Sequence, residues 1–312
     1  MKVYYILFLI LFSHSILSNN FYRPVIGVYG VIEPIDDNTL HNKDILDTAI
    51  ERWIEDMGGR VLLIPHWLSH SEYDTLLSKL NGVLFPGASR KMSLGSLWEE
   101  NARYIYKYSQ EHNIPLFGIC RGFQLVGLFA TNENKNWLDE YKDKGTHNAA
   151  FSSYTLKSRL FSLFDDKNFY ELENKWTTPY IHSHGLNESN FINNEYLNEN
   201  FYITLYGHDN NGKKFVNCFE SKIEKGFDIY ACQFHPEKVP YIRTDKYEDQ
   251  HSMDSIKRSQ LISLQFIEQA RKNKNKFDFP QDYEKYYFVN TYKKMNEKVS
   301  FDEKILYWVF NK

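Results

Sequence analysis

Three cysteines in 312 residues, Cys120, Cys218 and Cys232, are too few for a disulfide framework, so an apolar core must stabilise this chain. A large charge of one sign is also missing. The formal net charge is −3 and there is no basic stripe, which argues against a nucleic-acid partner. The histidines lack ligand spacing, so nothing points to a metal, and nothing points to a cofactor. Repeats and linkers are absent. Long apolar runs are missing too, with one exception. Lys2 is followed by the apolar run Val3 to Phe12 and then by Ser13, Ser15 and Ser18, the pattern of a secretory leader cleaved near Ser18. The run is short for a membrane span, which favours a leader, residues 1–18, over an uncleaved anchor helix. Residues 19–312 then read as one soluble domain in the secretory or lysosomal route, with no membrane contact after cleavage. The sequon Asn187-Glu188-Ser189 suits a glycosylated surface loop there. What is plentiful is aromatic residues, 17% of the chain, enough for a sizeable core.

Strand and helix signals alternate through the first half. Pro24–Gly30, Val61–Ile64, Gly82–Phe85 and Pro115–Ile119 are short apolar runs of strand length. Between them, Asp44–Met57 carries apolar residues at three- and four-residue spacing and ends at Gly58-Gly59. Glu72–Leu80 and Leu97–His112 suit helices as well. Alternation of this kind predicts an α/β fold, a doubly wound and mostly parallel sheet flanked by helices. Residues 131–150 read as a long surface loop. The second half is strand-rich, with Phe201–Leu205, Lys214–Phe219 and Asp228–Phe234, the last two forming a hairpin around Glu224–Gly226. Ser252–Lys272 is a long helix with Met253, Ile256, Leu261, Leu264 and Ile267 as its inner stripe. The tail, Tyr283–Phe310, adds an edge strand or a cap.

Chemistry concentrates at Gly118-Ile119-Cys120-Arg121-Gly122-Phe123-Gln124, where an apolar strand gives way to a helical pattern. A nucleophile on such a turn stands above the carboxyl end of the sheet and faces a helix N-terminus, whose partial positive charge favours thiolate. Taken alone, a glycine-flanked cysteine is better explained as an inert buried thiol. Far downstream, Gln233-Phe234-His235-Pro236-Glu237 supplies a histidine at a strand end and a carboxylate two residues on. Cys120, His235 and Glu237 together fill the roles of nucleophile, base and orienting group.

G-x-C-x-G-x-Q followed about a hundred residues later by H-P-E resembles the class I glutamine amidotransferase-like superfamily, with its flavodoxin-like sheet. Within it the chain is most similar to the gamma-glutamyl hydrolases. Arg23–Gly27, Asn81–Gly87 and Gln233–Tyr241 carry that resemblance, as do the leader and the aromatic tail. The resemblance implies a cysteine hydrolase of gamma-glutamyl amides, folylpoly-gamma-glutamates first, acting through a thioester. It implies an oxyanion hole from the backbone of Arg121 and of Gly87 or Ala88, and substrate contacts from Gln124, one helical turn from Cys120. His182 matches the family's second active-site histidine, with His184 as competitor; His147 and His208 have no such support. Arg121, Arg90 and Lys91 are the basic groups nearest the cleft and suit an anionic tail. Three departures bear on the substrate. Arg121 replaces an aliphatic residue, Gln124 stands where some members carry Glu, and Ala88 replaces a glycine. The first two resemble bacterial hydrolases of gamma-glutamyl-aminobutyrate, a rival reading that the leader disfavours. An amidotransferase subunit, the other rival, needs a synthase partner. A homodimer is compatible with everything above.

A turn centred on Lys225 sets Cys218 opposite Cys232 on neighbouring antiparallel strands, close enough for a disulfide or for a reduced pair, the latter favoured because cross-strand bridges are strained.

Overall fold

A computed structural model describes residues 23–31, 44–88, 95–131, 137–175, 178–242, 251–278, 293–299 and 303–310. The leader and the basic pair Arg90 and Lys91 lie outside the described residues.

Five strands form the parallel half of a ten-stranded sheet: β1 (Val25–Tyr29), β3 (Arg60–Ile64), β4 (Gly82–Phe85), β5 (Leu116–Ile119) and β11 (Ile229–Cys232). Their order is β3-β1-β4-β5-β11, each pair parallel. Both faces are covered, which is why these strands read as unbroken apolar runs. Alternation along β1 shows the two layers. Val25 and Tyr29 join the core beneath α2 (His70–Leu77), α3 (Leu97–Glu111) and α4 (Arg121–Ala130). Ile26 and Val28 join the core beneath α1 (Thr48–Glu55) and α8 (Met253–Lys272). Helices on both faces of a largely parallel centre make the doubly wound α/β fold that the sequence predicts.

The other half is antiparallel and larger than one terminal hairpin. It comprises β6 (Leu138–His147), β7 (Ala150–Phe151), β8 (Thr178–Leu186), β9 (Phe201–His208) and β10 (Lys214–Ser221). Three short helices, α5 (Asp166–Asn174), α6 (Glu188–Asn193) and α7 (Glu195–Asn200), connect it. The β10–β11 hairpin turns through Ile223–Lys225 and Gly226, whose φ of 77° suits glycine. Cys218 and Cys232 are register partners across it, and both are free thiols. Asn187 caps α6, its Oδ1 accepting from the Ser189 N–H and its amide donating to Asp139.

Four local expectations change. Asp44–Asp47 is a strand, β2, and the helix begins only at Thr48. Its apolar spacing fits either state, and pairing decides: β2 joins β12 (Lys293–Val299) and β13 (Glu303–Phe310) in a separate three-stranded sheet. The tail thus forms a hairpin rather than an edge strand of the main sheet. Residues 138–147, expected as loop, form the edge strand β6, whose register shift between Glu140 and Asp143 hides the two-residue period. The inner face of α8 is Ser255, Ser259, Ile262, Ser263, Phe266, Ile267 and Ala270; of the expected stripe only Ile267 is buried, and Met253 is 79% exposed. Serine is useful there because Ser259 accepts from the Trp53 indole N–H at 3.0 Å and Ser263 donates to the Trp53 carbonyl at 2.5 Å, locking α8 to α1.

Candidate active site

The carboxyl ends of β4, β5 and β11 converge on one open cavity of about 110 Å³, where ligands of doubly wound sheets bind. Cys120 follows β5 directly. Its φ of 53° and ψ of −101° are strained for a residue with a side chain. Neighbouring hydrogen bonds fix that turn: the Cys120 N–H donates to Cys232 at 2.8 Å and the Gly122 N–H donates to Pro86 at 3.1 Å. Gly122 must be glycine, since a Cβ there would sit 2.0 Å from the Phe85 carbonyl oxygen.

His235 leaves β11, with its own N–H donating to the Pro179 carbonyl at 3.0 Å. Its Nδ1 lies 2.7 Å from Glu237 Oε1, with both side chains almost wholly buried. The loop behind them is tied down by Ser259, whose hydroxyl donates to the Pro236 carbonyl at 2.6 Å. Cys120, His235 and Glu237 border the same cavity. Burial alone would raise the Cys120 thiol; the His235 charge, the hydrogen bond with His235 and the Arg121 charge outweigh it and bring the group below 9.0. Burial alone would lower His235; the charges of Cys120 and Glu237 and its hydrogen bonds to both raise it from 6.5 to about 9. Each group thus favours the charged form of the other, thiolate beside imidazolium.

Gly87 and Ala88 line the cavity as well. A Cβ on Gly87 would meet His235 Cε1 at 2.6 Å and Cys120 Cβ at 3.5 Å, so this backbone touches both reacting side chains. Arg121 begins α4 beside the nucleophile and also donates to Gln124 Oε1 at 2.6 Å.

Two expected substrate contacts are placed elsewhere. Gln124 is buried, and its amide donates to the His184 carbonyl at 2.9 Å; the side chain fastens α4 to β8 and does not line the cavity. His182 sits inside β8, not at a strand end, and its ring packs on Phe215. Strand alternation gives the cavity wall to its neighbour Ile181, whose carbonyl lies 4.0 Å from Cys120 Sγ. His184 and His208 are exposed, and His147 is on β6 against Tyr180. Sequence reading missed Asp47, Lys238, Val31 and Ile50 as cavity residues. Lys238 had a signal, being next to Glu237; Asp47 had none, because its place depends on β2. Among the described residues no group of three or more His, Cys, Asp or Glu could hold a metal ion, and no helix is long and apolar enough to cross a membrane.

The family model for glutamine amidotransferase class-I matches residues 40–253. Gamma-glutamyl hydrolase B of Dictyostelium discoideum is 28% identical over 283 residues, covering 87% of this chain and 79% of that protein. Gamma-glutamyl hydrolase of Bos taurus is 28% identical over 269 residues, covering 82% and 80%. Among solved structures, the glutaminase domain of Trypanosoma brucei CTPS with bound acivicin aligns with a TM-score of 0.52 at 16% identity, over 83% of this chain and 97% of that one, a likeness of fold. The chain belongs to the class-I glutamine amidotransferase family, and its near-full-length similarity within that family is to gamma-glutamyl hydrolases.

Proposed function

We propose that the protein is a cysteine hydrolase of gamma-glutamyl amides. The observation that carries this reading is the strained Cys120 turn opening onto a cavity shared with the His235–Glu237 pair. The Cys120 thiolate attacks the gamma-carbonyl, and the oxyanion draws on backbone N–H groups of Arg121 and of Gly87 or Ala88. His235 gives its proton to the leaving amine, whose departure leaves a gamma-glutamyl thioester. His235 then takes a proton from water, which attacks the thioester; the C–S bond breaks, the glutamyl acid leaves and the thiolate is returned beside the imidazolium. Glu237 holds the imidazole in the useful tautomer and balances its charge. Losing one oxyanion donor from such a site costs roughly 3–4 kcal/mol of barrier.

Folylpoly-gamma-glutamates are the substrate class that the resemblance to gamma-glutamyl hydrolases puts first. Short gamma-glutamyl amides are a second reading, favoured by the opposite charges of Asp47 and Lys238 on the cavity wall. Lys2 and the apolar run Val3–Phe12 support a secretory or lysosomal location, and the Asn187 sequon supports glycosylation. A release assay comparing a folate polyglutamate, glutamine and gamma-glutamyl-aminobutyrate, run on the native protein and on Cys120→Ala, tests the reading. Hydrolysis of a gamma-glutamyl amide is expected, and its loss in a folded Cys120→Ala protein. Full activity in that variant would sink the assignment.

A further inference from the structure

The catalytic cavity has a polar feature that bond cleavage does not use. Asp47 caps α1, with Oδ1 accepting from the Ala49 N–H at 2.8 Å. Its Oδ2 has no hydrogen-bond partner among the described residues, and the side chain borders the cavity with Cys120 and His235. Lys238 borders the same cavity, and among the described residues no carboxylate forms an ion pair with its ammonium. Val31, Ile45, Leu46 and Ile50 supply the apolar part of the wall beside them. Opposite charges thus share one cavity with no hydrogen bond between them, near enough for the Lys238 charge to favour the Asp47 carboxylate. Partly buried charges beside apolar side chains gain from charged partners, and a ligand carrying the complementary charges supplies one to each.

We propose that Asp47 and Lys238 hold the amino-acid head of the glutamyl group undergoing transfer, Asp47 taking a free α-ammonium and Lys238 the α-carboxylate. The inference rests on the gamma-glutamyl hydrolase reading, in its second form, the short gamma-glutamyl amides. The favoured substrates are gamma-glutamyl amides whose α-amino group is unacylated. Within a polyglutamate chain that nitrogen is an uncharged amide, so the Asp47 contact is lost. The α-carbon is three bonds from the scissile carbonyl, roughly 4 Å by covalent geometry, so one cavity serves both ends.

Electrostatics adds a dependence on pH. Burial raises the Asp47 carboxyl from 3.8 to about 6, opposed by Lys238, the Ala49 N–H and His235 and assisted by Glu237. A negative carboxyl, present above about pH 6, is the form that pairs with an ammonium.

Binding to the full-length Cys120→Ala protein tests this without turnover, using glutamine and N-acetylglutamine in calorimetric titrations. Glutamine is expected to bind at least ~10-fold more tightly at neutral pH, about 1.4 kcal/mol. The ratio should shrink towards one at about pH 5, and at neutral pH in Cys120→Ala/Asp47→Asn. Asparagine caps a helix as well as aspartate does, so α1 is preserved in that variant, and its melting temperature checks this. Lys238→Gln should weaken both ligands alike, because both keep the α-carboxylate. Equal binding of the two ligands, no measurable binding of glutamine, or a preference that survives Asp47→Asn overturns the proposal. A protein that prefers glutamine in this way yet hydrolyses no gamma-glutamyl amide would keep this site and lose the hydrolase reading. Hydrolysis without the preference would do the reverse.

Discussion

At the scale of single residues, the site depends on a proton held on His235. With that group raised from 6.5 to about 9, the imidazolium persists through neutral pH and is lost as pH rises through about 9. The rate constant kcat/KM is therefore expected to fall on the alkaline side near pH 9, where the leaving amine loses its proton donor. Glu237 contributes to the raised value by its charge and its hydrogen bond. In Glu237→Gln the alkaline limb should move to lower pH, with a smaller loss at neutral pH than in His235→Asn. A pH–rate profile of the variant checks this, and an unmoved limb would separate Glu237 from the titration of His235. These residues were legible in the sequence because the chemistry fixes residue types at short spacings around two glycines and a proline. Gln124 and His182 were not legible in the same way. Whether a side chain enters a cavity or crosses to the next element is set by tertiary contacts, here the His184 carbonyl and the Phe215 ring.

At the scale of elements, one wall of the cavity is made by β2, a strand outside the main sheet. Ile45, Leu46 and Asp47 line the cavity, and β2 pairs in register with β13, Asp44 opposite Phe310 and Asp47 opposite Tyr307. Removing the chain from residue 293 onward should free this wall while leaving the β5–α4 turn intact. The expected outcome is a KM raised several-fold with a smaller change in kcat, measured by steady-state kinetics on the truncated protein. An unchanged KM would mean that β2 holds its place without β13. Pairing also explains why the Asp44–Asp47 strand was invisible in the sequence. Its apolar spacing continues smoothly into α1, and the partner that makes it a strand lies at the other end of the chain. β6 was hidden for a different reason, since its register shift breaks the alternation that marks a strand. The buried strands β1, β3, β4 and β5 were legible because nothing but a parallel centre needs such continuous apolar runs.

At the scale of the whole molecule, two cores press on opposite faces of one sheet, and the sheet runs unbroken from its parallel to its antiparallel half. Trp53 reports on one core, packed against Phe117 and bonded to α8; Trp98 reports on the other, stacked with Tyr29. Because β1 carries side chains into both layers, the layers should melt together. Tryptophan fluorescence and loss of activity are expected to share one thermal midpoint. Two separated transitions would show that the halves of the sheet unfold independently.

The pairing of β2 with β13 has a further consequence during synthesis. The strand that walls the cavity emerges early, whereas its partner is translated roughly 250 residues later. At ~5–20 residues per second, the wall strand waits roughly 10–50 s for its partner, and for the last ~3–15 s of that wait Cys120 and His235 are both already made. That side of the cavity closes only once β13 is made, so a ribosome-stalled or prematurely terminated product would carry Cys120 in a cavity lacking the β2 wall in its paired place.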